Sequence, residues 1–331
     1  MLRDKKNIIE PRRIAFTRRS FLRIGALYGL TLASQSRLSV SLAANAARGT
    51  VFCTFSGSAP RPFYIIGHGS NSIPLAREYL ASGANALETD VNVYRSRPNQ
   101  LCVDHGPKLT AGRGSDSAPS LVEYLTELHS LARENPDFAL VDFDCKPPAA
   151  TAEHGAALIE GIRTNLIGEG QDRIKLDVII SVASFREAAI FTRIVSNLRS
   201  GEAVMIDQED DPGKVSQFFT SIGARSHCYC NGTSVANAES WLFAPRVRSS
   251  IEEACLLRTK DKKIKFVGVW TVNDPDLMRE YITMGVDGVM TDLAPPIYNR
   301  GQGLTALTAL VNSEGSRLGI RKASRTDQPF S

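Results

Sequence analysis

From Phe63 onward, short apolar runs alternate with longer stretches in which apolar residues recur every three or four positions. The runs are Phe63–Gly67, Ala86–Val93, Phe138–Asp144, Leu176–Val182, Ala203–Asp207, His227–Cys230, Lys265–Thr271 and Gly288–Thr291. Several are continuous in Val and Ile, the composition of a strand buried on both faces. Between them the spacing predicts helices over Ile73–Ser82, Ser120–Glu134, Thr151–Leu166, Phe185–Leu198, Pro212–Ile222, Ile251–Leu257 and Pro275–Met284. Seven helices between eight strands is the count of a (β/α)₈ barrel; an open doubly wound sheet is the second choice. The barrel is preferred because chemically useful residues repeatedly end the strands at their C-terminal side, where barrel sites assemble. Tyr94–Ser120 breaks the rhythm with a hairpin-like Gln100–Val103 and a Gly/Ser-rich loop, Ala111–Ala118. A polar loop of that length beside a barrel mouth reads as a lid or substrate gate.

The first 46 residues follow a different pattern. Thr17-Arg18-Arg19-Ser20-Phe21-Leu22 is a twin-arginine motif, an apolar stretch runs from Ile24 to Ala33, and Ala44-Asn45-Ala46 offers a small-residue cleavage site. This is the layout of an export signal handled by a bacterial-type twin-arginine machinery. The apolar stretch falls short of the roughly 20 residues a spanning helix needs. The expected organisation is therefore signal over 1–46, linker over 47–62 and one catalytic domain over 63–331, working as a monomer in the periplasm or outside the cell.

Removing that segment changes the charge. It holds nine Lys/Arg and two Asp/Glu, so the formal +4 of the whole chain becomes −3 for the remaining 285 residues. No argument for nucleic-acid binding survives from net charge. The six cysteines (Cys53, Cys102, Cys145, Cys228, Cys230 and Cys255) match no zinc spacing and read mainly as buried thiols. Cys228 and Cys230, two apart on a strand, point the same way.

The candidate chemistry lies at strand ends. Gly67-His68-Gly69 with Asn71 follows the first strand, Glu88-Thr89-Asp90 lies in the second, and His105-Gly106 comes soon after. Glu88 and Asp90 share a face, the barrel interior, where two carboxylates repel unless a cation lies between them. Asp144 ends the next strand and offers a third carboxylate, with Lys146 two residues on; oxygen-only ligands suit Mg²⁺. For Glu88 and Asp90 taken alone, metal ligation and a cap or surface charge stand as equal readings. His68 and His105, each followed by Gly, tip the balance toward phosphoryl transfer. One would take a proton from an attacking hydroxyl or attack phosphorus itself, and the other would assist the leaving oxygen. Asn71 is open between a hydrogen bond near the site and a helix cap. Trp270 is open between a wall for a choline-like headgroup and packing at the mouth. Asp292 is a further polar candidate. His129, His154 and His227 read as surface or packing residues.

These motifs, with Gly83–Val91, Phe143-Asp144-Cys145-Lys146, Val269-Trp270-Thr271-Val272 and Gly285–Thr291, resemble the sphingomyelinase D/phospholipase D family. That family is known from spider venoms and some bacteria and fungi and is related to glycerophosphodiester phosphodiesterases. Ala323–Phe330 is similar, in degenerate form, to the family's tail motif, which plugs the base of the barrel; a disordered terminus is the plainer alternative. The resemblance implies a distorted (β/α)₈ barrel of the phospholipase C-like phosphodiesterase type and one Mg²⁺ held by Glu88, Asp90 and Asp144. It implies His68 and His105 as the catalytic pair, with Lys146 and Trp270 near phosphate and headgroup; Asn71 and Asp292 are added as candidate substrate contacts from their place beside the site. The implied substrate is a sphingomyelin or lysophospholipid met transiently at a membrane surface, its headgroup alcohol released by internal attack to leave a cyclic phosphate.

Three departures bear on specificity. The loop Pro107–Asp116 lacks the cysteines of venom members, Asp292 stands where the family usually has Asn, and Gly268 replaces an aromatic two residues before Trp270. They leave the reaction class intact but unsettle sphingomyelin as substrate, and the last would widen or reshape the headgroup pocket. Gly69 and Gly106 stand where glycerophosphodiester phosphodiesterases usually carry Arg and Asp, which favours the first family over the second. A barrel that binds headgroups without catalysis ranks last, because no histidine or acid is missing.

Overall fold

A computed structural model describes residues 59–107, 112–233, 237–260, 262–293 and 303–330. The export segment, most of the linker and Cys53 lie outside the described residues.

The strands are β1 (Arg61–Gly67), β2 (Ala86–Val93), β3 (Leu101–Val103), β4 (Leu140–Cys145), β5 (Asp177–Val182), β6 (Glu202–Ile206), β7 (His227–Gly232), β8 (Ile264–Trp270), β9 (Gly288–Thr291) and β10 (Ile320–Lys322). Leaving out β3 and β10, the other eight run parallel in chain order, and β1 pairs with both β2 and β9, so the sheet closes. This is the (β/α)₈ barrel expected from the pattern. Closure removes the sheet edges and fixes an inside and an outside for every strand. Inward positions such as Tyr64, Ile66, Leu140, Ile179, Met205, Cys228, Cys230, Phe266 and Met290 form an inner cluster. Alternate positions such as Ile65, Leu87, Val141, Phe143 and Val267 pack outward beneath the helices.

Those helices are α1 (Ile73–Ala81), α2 (Leu121–Glu134), α3 (Ala152–Gly161), α4 (Pro212–Ser221), α5 (Asn237–Lys260), α6 (Pro275–Met284) and α7 (Gly303–Glu314). Caps set several starts: Ser72, Ser120, Thr151, Asp211 and Asp274 each accept a backbone N–H of the first turn. Two expected helices differ in winding. Phe185–Leu198 is a 3₁₀ run over Phe185–Arg193 followed by a short turn. Thr151–Leu166 loosens after Gly161 into a π turn over Ile162–Ile167, where the Asn165 side chain bonds the Gly161 carbonyl at 3.1 Å. The helix expected over Ile251–Leu257 is the later part of the longer α5. The pattern also missed α7, although Leu304, Leu307, Leu310 and Val311 are buried at helical spacing. Among the described residues no helix is long and apolar enough to cross a membrane.

The base of the barrel is closed by the C-terminal residues. β10 pairs with the start of β1. The Asn85 side chain, wholly buried, accepts from Ile65 N at 2.7 Å and donates to the carbonyls of Ala323 (2.8 Å) and Phe63 (3.3 Å). Arg325 reaches the carbonyls of Phe138 at 2.7 Å and Asn135 at 2.9 Å, while Phe330 joins the inner cluster. Cys102, Cys145, Cys228 and Cys230 are buried free thiols, and Cys255 is buried, in line with the sequence reading. His227 is packed against the ring of Phe219, centroids 5.0 Å apart, as a packing residue should be.

Asn85→Ala strands buried donors and acceptors on two segments at once. It is expected to cost about 2–4 kcal/mol, or roughly 5–10 °C in melting temperature. Thermal unfolding followed by circular dichroism measures this, and an unchanged midpoint would show that the base does not depend on this side chain.

Candidate active site

Strand register builds the site. In the parallel pairing of β2 with β4, Glu88 lies beside Asp142 and Asp90 beside Asp144. Four acids thus face inward from two adjacent strands, an arrangement that repels unless charge is removed or neutralised.

Three features answer that repulsion. The Lys146 ammonium bonds both Asp90 and Asp144. Burial opposes its charge, but Asp144, Asp90 and Glu88 outweigh burial and hold its pKa well above the ordinary lysine value. Asp142 takes the second route: burial pushes its pKa up to about 8, and Ser181 Oγ donates to its Oδ1 at 2.6 Å. Asp90 takes the third. Burial raises its pKa, yet Lys146 and the Asn71 amide bring it below the usual carboxylate value.

Oxygens of Glu88, Asp90 and Asp144 lie within 4.8 Å of one another, so the three could hold a metal ion. The fit is chemical as well as geometric. Three carboxylates against one lysine leave a formal −2, the complement of one divalent cation, and every ligand is oxygen. Glu88, by contrast with Asp90, has its pKa pushed up to about 8 by burial and by Asp90. It is the carboxylate that lacks its counter-charge.

The loop after β1 is tied to this cluster. Gly69 N donates to Glu88 Oε2 at 2.5 Å, and Ser70 both donates its N–H and bonds its Oγ to the Glu88 carbonyl at 2.8 and 2.7 Å. The turn needs φ +64° at Gly69, with open space where a side chain would be. Asn71 spends both ends of its amide on Asp90, Nδ2 to Oδ2 at 2.5 Å and Oδ1 from the backbone N–H at 2.8 Å. It therefore holds a carboxylate, the hydrogen bond near the site that was one of its two readings; the helix cap is Ser72.

His68 is fixed through Nδ1, 2.8 Å from Asp292 Oδ1, leaving Nε2 for chemistry. Asn273 Nδ2 in turn donates to Asp292 Oδ2 at 2.6 Å. Asp292, a polar candidate from the sequence, faces His68. Burial opposes charge on the ring, but the Asp292 hydrogen bond and the charges of Glu88, Asp292 and Asp90 raise its pKa to about 9.

His105 is exposed beyond β3, and its charge acts on Asp90. Its position follows from β2–β3 pairing, with Asp104 N donating to the Asp90 carbonyl at 3.1 Å. Hydrogen bonds brace the following loop. Asp104 accepts from Gly106 N at 3.1 Å and Ser115 N at 2.6 Å, and Asn92 Nδ2 donates to the Gly112 carbonyl at 3.1 Å. Residues 108–111 lie outside the described residues. Gly106 has φ +75°, and a Cβ there would stand 2.6 Å from the Gly112 oxygen.

Trp270 is half-buried at the end of β8, with Nε1 donating to the Asp207 carbonyl at 2.8 Å. Asp207 was missed from sequence, although it ends a predicted strand as Asp144 does. Asp104, Asn92 and Asn273 were missed for a different reason: their roles are supporting hydrogen bonds across loops, which leave no periodic signature. A Cβ at Gly268 would stand 3.0 Å from Cys230 Sγ and 3.3 Å from the Phe266 ring.

A family model described as "Dermonecrotic toxin SPH" matches residues 58–330. "Dermonecrotic toxin SPH" of Ixodes scapularis is 22% identical over 291 residues, covering 82% of this chain and 76% of that protein. "Dermonecrotic toxin LapSicTox-alphaIB1bi" of Loxosceles apachea is 24% identical over 284 residues, covering 81% and 98%. Among solved structures, a putative glycerophosphoryl diester phosphodiesterase from Silicibacter pomeroyi is 16% identical, with TM-score 0.47 over 80% of this chain and 96% of that one.

The His68–Asp292 pair gives a titration to measure. In protein freed of divalent ions, the ring of His68 should titrate near pH 9 by NMR. Asp292→Asn should bring it down by about one unit or more, since a neutral amide attracts the imidazolium less. The sign for stability follows: a folded pKa above the ordinary 6.5 adds stability in full below that value, lost as pH rises through about 9. Equal titration in the two proteins would remove Asp292 as the partner.

Proposed function

The chain belongs to the Dermonecrotic toxin SPH family, and from that premise we propose that it is a Mg²⁺-dependent phospholipase D of the sphingomyelinase D type. It releases the headgroup alcohol from sphingomyelin-like lipids or lysophospholipids. The observation that carries this reading is the convergence of Glu88, Asp90 and Asp144 with Lys146 and His68 at the C-terminal mouth of a closed barrel.

One divalent ion on the three carboxylates supplies neutralisation of charge on the non-bridging phosphate oxygens. The chain's own residues do the rest. Lys146, fixed between Asp90 and Asp144, adds a second positive charge beside the phosphate. His68, held by Asp292 through Nδ1, presents Nε2 as the donor that protonates the departing headgroup oxygen. His105, exposed at the lid side, takes the proton of the substrate hydroxyl that attacks phosphorus. The new P–O bond closes a cyclic phosphate as the bond to the headgroup breaks, and the two proton transfers balance. The Tyr94–Ser120 insert gates the mouth, and the substrate is met transiently at a membrane surface. Export over the twin-arginine route, secreted or periplasmic location, a monomeric state and the absence of a nucleic-acid partner complete the proposal.

Phosphorus NMR of sphingomyelin, lysophosphatidylcholine and glycerophosphocholine incubated with the enzyme tests the reaction. Cyclic phosphate from the lipids is expected; turnover of glycerophosphocholine alone would point to a glycerophosphodiester phosphodiesterase. Chelation should abolish release and Mg²⁺ restore it, and full activity in excess chelator would overturn the carboxylate assignment. His68→Ala and His105→Ala should each lower turnover by about 10²–10⁴ while the fold persists. Unchanged turnover would dismiss the pair.

A further inference from the structure

A cavity of about 330 Å³ opens at the base of the barrel, the end opposite the acid cluster. Its walls come from the starts of β5 and β6, from the π turn after α3 and from Gln328 and Phe330 of the C-terminal segment. That volume is in the range of small-molecule sites, and π turns recur where a helix serves a function. Here the π turn contributes Arg163 and Ile167, four residues apart.

The charge of the walls describes a ligand. Arg163, Arg173, Lys175 and Arg199 stand against Asp177 and Glu202, four bases to two acids, for a formal +2. Glu202 is already occupied. Arg163 Nε donates to its Oε1 at 2.8 Å and Nη2 to its Oε2 at 2.6 Å, and the Arg199 backbone N–H adds a bond of 2.7 Å. Arg163 Nη2 also donates to the Asn197 carbonyl at 2.8 Å, so the guanidinium is a fixed fork. Its Nη1 makes no hydrogen bond among the described residues. Asp177 is buried, and burial pushes its carboxyl up to about 7 against the pull of Lys175. Near neutrality it is therefore in part a hydrogen-bond donor, not a full repelling charge. Arg173 and Arg199 are exposed, and their side chains make no ion pair among the described residues. Solvated surface bases are ordinary; these share one concavity with a guanidinium already held in place. Ile167, Ile174 and Phe330 add apolar wall, which lowers the local dielectric and strengthens attraction to an anion.

We infer that this basal cavity binds a phosphate dianion, either carried by a small organic monoester or free as inorganic phosphate. The formal +2 complements it, and planar guanidinium forks match its oxygens in pairs. A bilayer is not the occupant, because a membrane seated on the base would face the end away from the acid cluster. The walls belong to the sheet, the π turn and the tail together, so a ligand here ties Gln328 and Phe330 to the barrel. The inference is independent of the reaction proposed for the mouth.

Calorimetric titration of the protein with sodium phosphate and with glycerol 3-phosphate tests it, with chelator present so that no divalent ion at the mouth contributes. A Kd below about 1 mM is expected for at least one of them. Tighter glycerol 3-phosphate assigns the organic monoester, and equal or tighter phosphate assigns the free ion. The double variant Arg173→Ser with Arg199→Ser removes two charges that pair with nothing in the fold, and should weaken binding about tenfold or more. His68→Ala, at the other end of the barrel, should bind as the wild type does. The melting temperature should rise with ligand in the wild type and in His68→Ala, and much less in the double variant. Absence of binding by the wild type at about 10 mM of either anion overturns the inference. So does equal affinity in the double variant, or a loss in His68→Ala as large as in the double variant. Binding confined to vesicles containing phosphatidic acid also overturns it and makes the base a membrane contact.

Discussion

The pairing of β2 with β4 is the constraint around which the site is organised. Parallel register sets Glu88 against Asp142 and Asp90 against Asp144, and closure of the barrel turns all four inward. Buried acids at adjacent ladder positions cannot all be charged without compensation. The fold disposes of the charge layer by layer. Asp142, deeper, stays protonated up to about pH 8 against Ser181. Asp90 and Asp144, nearer the mouth, share Lys146. Glu88 is left with a backbone N–H and a raised pKa. What a static protein leaves uncompensated here is a negative concavity with a fixed lysine at one side, a setting made for a hard cation and a phosphate.

Holding such a cluster requires support from outside the barrel, and aromatic hydroxyls provide it. Tyr79 Oη donates to the His68 carbonyl at 2.7 Å and accepts from Leu293 N at 3.0 Å, joining the loops after β1 and β9. Tyr124 Oη, on α2, donates to the Ser70 carbonyl at 2.6 Å. Both rings are buried among the helix-facing residues. The same side chains that cement α1 and α2 to the sheet therefore fix the height of the His68 loop. Packing and preorganisation are one interaction seen from two sides.

The barrel was legible because each of its strands is a short apolar run with a polar or charged end, and each helix between them carries a stripe. The acid cluster was legible because chemistry at strand ends obeys a period of two, which places Glu88 with Asp90 and Asp144 with Lys146 on shared faces. That Asn71 bonds Asp90 and Asp292 bonds His68 was not legible, because proximity in sequence says nothing of what a side chain spends its hydrogen bonds on. Asp207 escaped notice although it obeys the same strand-end rule; standing alone in its strand, it carried no second acid to mark it. The helix after β9 escaped because the strand count was already complete, while its buried leucines show the spacing plainly. The 3₁₀ winding of Phe185–Arg193 lies beyond pattern, since only Ile190 and Phe191 of the run are buried, too few positions to fix a helical period.

Asp292 gives this mouth a character an asparagine would not. An amide at that place orients an imidazole without adding charge; a carboxylate orients it and also draws a proton onto it. Asn273 donates to the far oxygen of Asp292 and accepts both from Thr291 Oγ1 at 2.8 Å and from the Asp292 backbone N–H at 2.9 Å. The carboxylate is thus held at one angle and keeps its near oxygen for His68. With Glu88 raised to about 8 and His68 to about 9, the two groups on either side of the His68–Gly69 turn hold protons in the same pH range. A divalent ion that takes the Glu88 carboxylate displaces a proton from it and lessens the negative field that favours the imidazolium. A divalent ion held there would be linked to the protonation of His68 through one short stretch of backbone. The lysine between Asp90 and Asp144 stays charged throughout.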